Sequence, residues 1–425
     1  MKLFIRLLVL SSILLSISTL SAQIINVKKK VKNQTINRAD QRTDQGINKG
    51  LDAIEGGVKG LFKKKDKSKP AENQENKASG QNADPKTTTA APGSPAMQSF
   101  SKFDFVPGEK IIFFDDFTAE NIGDFPFLWN TTGAGEVVTT NLYEGRWFNI
   151  TNGNGIVALT EPLILPDNYT IEFDVVPQKN PKNADHTFFS FNLMSTSKPK
   201  DLNYGVAAPG DAAIRFEFEN KIYYMAYYND KSPTIRGNED IELLAGIKYK
   251  VSMWVQKERI RLYVDQKKVF DLPRVISKNY KYNMIRFDRG VAMIGNVRVA
   301  TGLPDMRNKL MTDGKLVSYG IYFDVNKDVV KPESYGTLKE IATILNEVPD
   351  VKVKIVGHTD SDGEDAKNMD LSKRRSASVK AELAKSFNVN ADRLVTDGMG
   401  ESQPVAPNDS PVNKALNRRV EFIKL

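Results

Sequence analysis

The sequence predicts a multidomain chain: an all-β sandwich, then an α/β domain of βαβαββ type, both behind a disordered basic tether. Three observations carry this. Between residues 101 and 302, apolar and polar side chains alternate in short runs parted by polar turns, the period of half-buried strands. From residue 314 onward such runs alternate with stretches whose apolar residues recur every three or four positions, the period of a helix face. Residues 66–100 hold almost no large apolar side chain before Met97, so they bury too little surface to offset the entropy of ordering.

Composition excludes several chemistries. No cysteine is present, which removes disulfides, thiolate metal sites, a cysteine nucleophile and a cysteine-linked lipid anchor. The two histidines, His186 and His358, are too few for a multi-histidine metal site and argue against a catalytic triad. No metal or cofactor is expected. The formal charge of +8 is unevenly placed: residues 23–100 hold fifteen Lys/Arg against eight Asp/Glu, and the rest of the chain after residue 100 is close to neutral. A basic arm on near-neutral domains suits an anionic surface.

In order along the chain, residues 1–22 read as a signal peptide. Lys2 and Arg6 precede an apolar run over 7–15, and Leu20-Ser21-Ala22 ends on a small residue. The apolar run is too short to span a bilayer. An exported chain makes nucleic acid an unsuitable partner and leaves lipid headgroups, an outer-membrane protein or cell-wall polymers for the arm. Residues 23–100 form the tether. Within 35–65, Ile47, Leu51, Ile54, Val58 and Leu61 make a helical stripe, weakened by Gly46, Gly50, Gly56, Gly57 and Gly60. We read it as a partly helical spacer, the alternative being an amphipathic element that docks on a membrane.

Residues 101–302 give the β-sandwich. Ile171, Phe173 and Val175 alternate with Thr170, Glu172 and Asp174, and Ile214-Arg215-Phe216-Glu217-Phe218 repeats the pattern. The clearest hairpin lies in 249–272: Tyr249, Val251, Met253 and Val255 share a face, residues 256–259 turn, and Ile260, Leu262 and Val264 return. An outer-membrane barrel is the competing architecture. It needs strands of about ten residues with aromatic girdles, and several strands here are too short. The opening Phe113-Phe114-Asp115-Asp116-Phe117, the later Phe125-Pro126-Phe127-Leu128-Trp129 and the hairpin Ile260-Arg261-Leu262-Tyr263-Val264-Asp265 resemble the concanavalin-like or laminin-G-like jelly rolls. That family includes carbohydrate-binding modules and some sugar-active enzymes, so a glycan-binding or glycan-active role is the alternative to a structural one, and fold alone does not fix which. Glu172 with Asp174, or Glu217 with Glu219, are the carboxylate pairs a hydrolase would use, and Tyr223, Tyr224, Tyr227, Tyr228 and Trp254 the aromatics a sugar platform would use.

Residues 303–313 read as a linker, and 314–425 as the α/β domain. Expected elements are a strand at 321–324, a helix at 332–346, a strand at 351–355, a helix at 371–387, and short strands at 393–396 and 420–422. Five motifs stand along it: Tyr322-Phe323-Asp324-Val325-Asn326-Lys327, Gly357-His358-Thr359-Asp360-Ser361-Asp362-Gly363, Asn368-Met369-Asp370-Leu371-Ser372-Lys373-Arg374-Arg375, Gly398-Met399-Gly400-Glu401-Ser402-Gln403-Pro404 and Asn417-Arg418-Arg419-Val420. In order and spacing they resemble the OmpA-like domain, with Ser376 where that family usually carries alanine.

The resemblance implies non-covalent binding of peptidoglycan through diaminopimelate in its stem peptide, and so a tether between cell wall and outer membrane, with a periplasmic or outer-membrane location. Such a ligand ends in an ammonium and a carboxylate on one carbon, which asks for one anion and one planar cation at fixed separation. The family pattern maps Asp360, Arg375, Asn326, Thr359, Asn368 and Arg418 to the site. Asn368 is equally explained as a helix N-cap. No catalytic constellation appears in this domain, so no enzyme activity is expected of it.

Overall fold

The computed structural model describes residues 103–425, apart from 152, 181–182, 206–208, 229–232 and 303–304. The signal peptide and the tether through residue 100 lie outside the described residues.

Alternation of apolar and polar side chains, clearest in 168–177, 212–218 and 249–264, runs through two antiparallel sheets built from residues 110–301. Among the described residues, one sheet has eight strands. Its path runs 267–272, 259–264, 249–256, 168–177, 292–301, 147–150 and 135–138, and Lys110–Asp115 pairs with Ala292–Thr301 as well. The other has seven, in the order 235–239, 222–228, 212–218, 189–195, 284–288, 156–159 and 129–131. The inward rings join the sheets: Phe173 of the first lies 5.1 Å from both Phe191 and Phe287 of the second. The expected hairpin forms, with Val251 opposite Val264 and Met253 opposite Leu262. Lys257 and Asp265 take left-handed backbone conformations at its two turns. Both sheets end in edge strands rather than closing into one barrel.

The polar face of the first sheet is not solvated. Thr170, Glu172, Asp174, Lys250, Ser252 and Arg298 are all buried, because the C-terminal domain and the segment before Lys110 cover them. Arg298 Nη1 donates to Glu172 Oε2 at 2.8 Å, and its Nη2 to the Gly108 carbonyl at 3.1 Å. The Tyr322 hydroxyl, from the C-terminal domain, donates to Glu172 Oε1 at 2.7 Å. Lys250 stands 3.4 Å from Asp174 and lies over the Tyr322 ring. Burial pushes the Asp174 carboxyl up, but Lys250 and Lys331 outweigh it and hold it below its ordinary value. The cover is close. A side chain on Gly336 would meet the Phe105 carbonyl oxygen at 2.0 Å, and one on Gly320 would meet Pro107 at 2.7 Å.

This arrangement engages several of the side chains that a glycan-chemistry reading of this domain would use. Glu172 and Asp174 are locked in the interdomain network, and Glu217 is paired with Arg215 and Arg289 at 3.7 and 3.2 Å. Tyr224 packs on Phe270 between the sheets. Tyr227 is buried beneath the Arg215 guanidinium, and the Tyr228 hydroxyl is tied to the Val275 carbonyl at 2.5 Å.

The C-terminal domain has a four-stranded sheet in the order 315–318, 420–424, 353–358 and 394–400. Only the 353–358/394–400 pair is parallel, and helices Tyr335–Glu347 and Asp365–Phe387 cross between strands. Three expectations need correction. Residues 303–313 are not a plain linker: Met306–Met311 is a helix, and Met306 and Leu310, four apart on one face, enter the core of this domain. The first strand is Lys315–Ser318, not 321–324. Around Gly320 the chain is held against Thr337 and Pro107, and Tyr322 and Phe323 leave it for partners outside the sheet. Finally, Asn368 lies inside helix Asp365–Phe387, whose N-cap is Glu364. No helix among the described residues is long and apolar enough to cross a membrane.

Strand Val420–Lys424 carries a buried carboxylate with a measurable consequence. Burial pushes Glu421 up, but contacts from His358, Lys315 and Arg419 outweigh it and hold it at about 2, against an ordinary value of 4.5. A depressed carboxylate stabilises the fold above its unfolded value and loses that contribution as pH falls through the folded one. Stability tied to Glu421 is therefore expected intact above pH ~4.5 and lost toward pH ~2, roughly 2–3 kcal/mol in all. Denaturant titrations of wild type and Glu421→Gln from pH 5 to pH 2 check this, and parallel curves for the two would contradict it.

Candidate functional site

The site begins where strand Val353–His358 ends. Helix Asp365–Phe387 lies directly on the sheet, since a side chain on Gly357 would meet the Ser372 carbonyl at 2.3 Å and one on Gly398 would meet the Lys373 amide at 2.4 Å. That close contact fixes the distance from the strand-end loop to the helix, and hence from Asp360 to Arg375. Ser376 sits fully buried in the same helix, its hydroxyl donating to the Lys373 carbonyl at 2.9 Å, so the departure from alanine is accommodated locally.

Arg375 is anchored by its backbone surroundings. Its Nε donates to the Lys327 carbonyl at 2.9 Å and its Nη2 to the Asp324 carbonyl at 3.3 Å, and the guanidinium lies over the Phe323 ring. Among the described residues no carboxylate comes within ion-pair distance of it. Burial, and then the charge of Arg418, pull its guanidinium down to about 10. A half-buried cation held by carbonyls, with no carboxylate at ion-pair distance among the described residues, can receive an anion.

Asp360 is placed the opposite way. Its Oδ1 accepts the Asp362 amide at 3.2 Å, and its Oδ2 accepts from Arg418 Nη1 at 2.5 Å. Thr359 donates its amide to the Gly400 carbonyl at 2.9 Å, while its hydroxyl is buried without a partner among the described residues. The Asn368 amide nitrogen donates to the carbonyls of Asp360 and Asp362 and to Glu401 Oε2, at 3.3, 3.1 and 2.6 Å. It shapes the Asp360 loop from below. Asn326 is exposed, with φ of 55°, a left-handed position that asparagine tolerates in turns. Asp362 is held by Lys414 at 2.8 Å.

All six residues expected at the site line one cavity of about 530 Å³. Its other wall comes from the β-domain: Phe114, Asp116, Thr118, Leu142, Tyr143 and Lys248 line it too. Sequence reasoning missed these. Arg418 Nη2 donates to Asp116 Oδ2 at 3.2 Å across 302 residues of chain, and its guanidinium lies over Phe114. The loop that holds Arg375 is gripped from the same side, by Lys248 on Asp324 at 3.4 Å and Glu144 on Lys327 at 3.6 Å.

Comparison with known proteins isolates the same region. The OmpA family model matches residues 322–418. Outer membrane porin F of Pseudomonas fluorescens is 46% identical over 105 residues, which is 25% of this chain and 32% of that protein. Outer membrane protein A of Bordetella avium is 41% identical over 101 residues, 24% of this chain and 52% of that protein. Among solved structures, the peptidoglycan-associated lipoprotein from Burkholderia pseudomallei is 26% identical over 25% of this chain and 88% of that one, with a TM-score of 0.23. The chain thus spans about a third of the length of the porin F it matches. The five motifs and the extent of the family match agree: residues 322–418 are an OmpA family domain.

Proposed function

We propose that this chain binds peptidoglycan without cleaving it, through the zwitterionic end of diaminopimelate in the stem peptide, and so ties the cell wall to the envelope. The observation that carries the reading is the pairing of Arg375, a half-buried guanidinium without a carboxylate partner, with Asp360 in one cavity. The ligand's carboxylate goes to Arg375, whose planar fork offers donors beyond those used on the two carbonyls. Its ammonium goes to Asp360, and the unpartnered Thr359 hydroxyl is a further group for it. Asn368 and Glu401 act through the loop they hold, and Asn326 borders the opening.

The rest of the chain is read around that function. The leader at 1–22 supports export to the periplasm or outer membrane, and the basic tether supports attachment to lipid or an outer-membrane protein. We read the two sheets as a jelly-roll-like domain whose one face is spent on holding the wall-binding domain. The test is co-sedimentation of the mature chain, residues 23–425, with purified peptidoglycan sacculi, competed by free diaminopimelate. Saturable co-sedimentation reversed by the competitor is expected. Retention that free diaminopimelate does not displace would refute the ligand assignment.

A further inference from the structure

Asp116 belongs to the β-domain, yet its carboxylate opens on the same cavity as Asp360. Its orientation is fixed locally: Oδ1 accepts both the amide and the hydroxyl of Thr118, at 3.2 and 2.6 Å, which turns Oδ2 toward Arg418. One guanidinium therefore holds two carboxylates from two domains, Asp360 on Nη1 and Asp116 on Nη2. A single positive charge does not neutralise both. Two further cations border them, Arg375 tied to the Lys327 and Asp324 carbonyls and Arg146 to the Thr118 carbonyl, and among the described residues neither meets either carboxylate at ion-pair distance. Among the described residues the two carboxylates share one direct cationic partner, and they sit beside the Thr359 hydroxyl, which is buried without a partner among those residues and lines the same cavity.

Resting on the reading above, we propose that Asp116 is a second ligand-binding carboxylate, so that the ligand's ammonium is received by Asp360 and Asp116 together and the site is complete only with the β-domain in place. The interface supports this as a built arrangement. Phe114 stacks on Arg418, and Ala415 packs with Ile111, Phe114 and Ala300 in a small apolar cluster bordering the pair. The buried Glu172–Arg298–Tyr322 network fixes the β-domain against the wall-binding domain a short distance away. A cavity of about 530 Å³ is in the range for a ligand larger than one amino-acid end, so the β-domain wall also faces the peptide that continues from it.

The experiment is calorimetric titration of the mature chain with free meso-diaminopimelate, for wild type, Asp116→Asn and Asp116→Glu, with melting temperature recorded for each. Asn keeps an oxygen for the Thr118 amide and removes the charge, and Glu keeps the charge on a longer arm. About ten-fold weaker binding is expected for Asp116→Asn, the size of one lost charge-assisted hydrogen bond, with Asp116→Glu within about three-fold of wild type. Asp116→Asn binding within two-fold of wild type would overturn the proposal while leaving the Asp360–Arg375 reading standing. Equal losses in both variants would also overturn it, because binding would then follow the shape of the Asp116 turn rather than its charge. No binding by wild type would overturn both.

Discussion

Arg298→Ala is expected to destabilise the protein by about 3–5 kcal/mol, because it strands a carboxylate in the interface between the two domains. Glu172 is fully buried, and Arg298 supplies its closest charged donor at 2.8 Å. With Arg298 gone, Glu172 keeps the Tyr322 hydroxyl and a lysine 4.0 Å away, too little to offset its desolvation. The Gly108 carbonyl loses its donor as well. Denaturant unfolding of the mature chain at neutral pH measures the loss. The double variant Arg298→Met/Glu172→Gln should lose less than Arg298→Ala alone, since no unpaired charge is left behind. A loss under about 1 kcal/mol for Arg298→Ala would mean that water, not Arg298, satisfies Glu172.

That network also shows where sequence reasoning stopped. Thr170, Glu172 and Asp174 alternate with Ile171, Phe173 and Val175. The alternation correctly gives the strand and its core face. It cannot separate a solvated polar face from one buried against another domain, because both need polar side chains at the same period. Covering that face takes Tyr322, 150 positions later, and Gly108, 62 positions before Thr170, and no local pattern links them. The same limit hid Asp116. It stands in the sequence as part of an aromatic-rich strand signature, and only the fold puts it on Arg418.

Within the C-terminal domain a candidate site could be proposed from sequence because its motifs are short, ordered and local. Asp360 follows a strand, Arg375 lies on the next helix, and Gly357 and Gly398, which let that helix lie on the sheet, set their spacing. The errors there have particular causes. Ile321, Tyr322 and Phe323 have the look of a strand, but Tyr322 reaches Glu172 and Phe323 lies under Arg375, so the segment has partners of another kind. Met306 and Leu310 carried a helical signal, but too short a one to outweigh the polar residues around them. Asn368 was one position class away from its role: it sits one turn inside the helix, where its amide holds the Asp360 loop instead of capping.

Arg375→Ala and Asp360→Ala should each weaken binding to sacculi by about 2–5 kcal/mol, roughly thirty-fold to several thousand-fold, because each removes one member of a desolvated charge pair with the ligand. The two should fail differently in the free protein. Arg375 gives up two bonds to carbonyls and a ring contact, so its loss should leave the melting temperature nearly unchanged. Asp360 is the partner of Arg418, and its removal leaves that guanidinium with Asp116 alone, so some destabilisation should accompany the lost binding. Arg375→Lys should not rescue. The guanidinium spends Nε and Nη2 on two carbonyls and still has N–H groups for a carboxylate, whereas one ammonium cannot hold the loop and present a flat two-bond fork together. Co-sedimentation with sacculi, beside thermal melts of the same preparations, separates these effects. Undiminished binding by folded Arg375→Ala would mean that the loop carbonyls, not a ligand, are what this arginine is for.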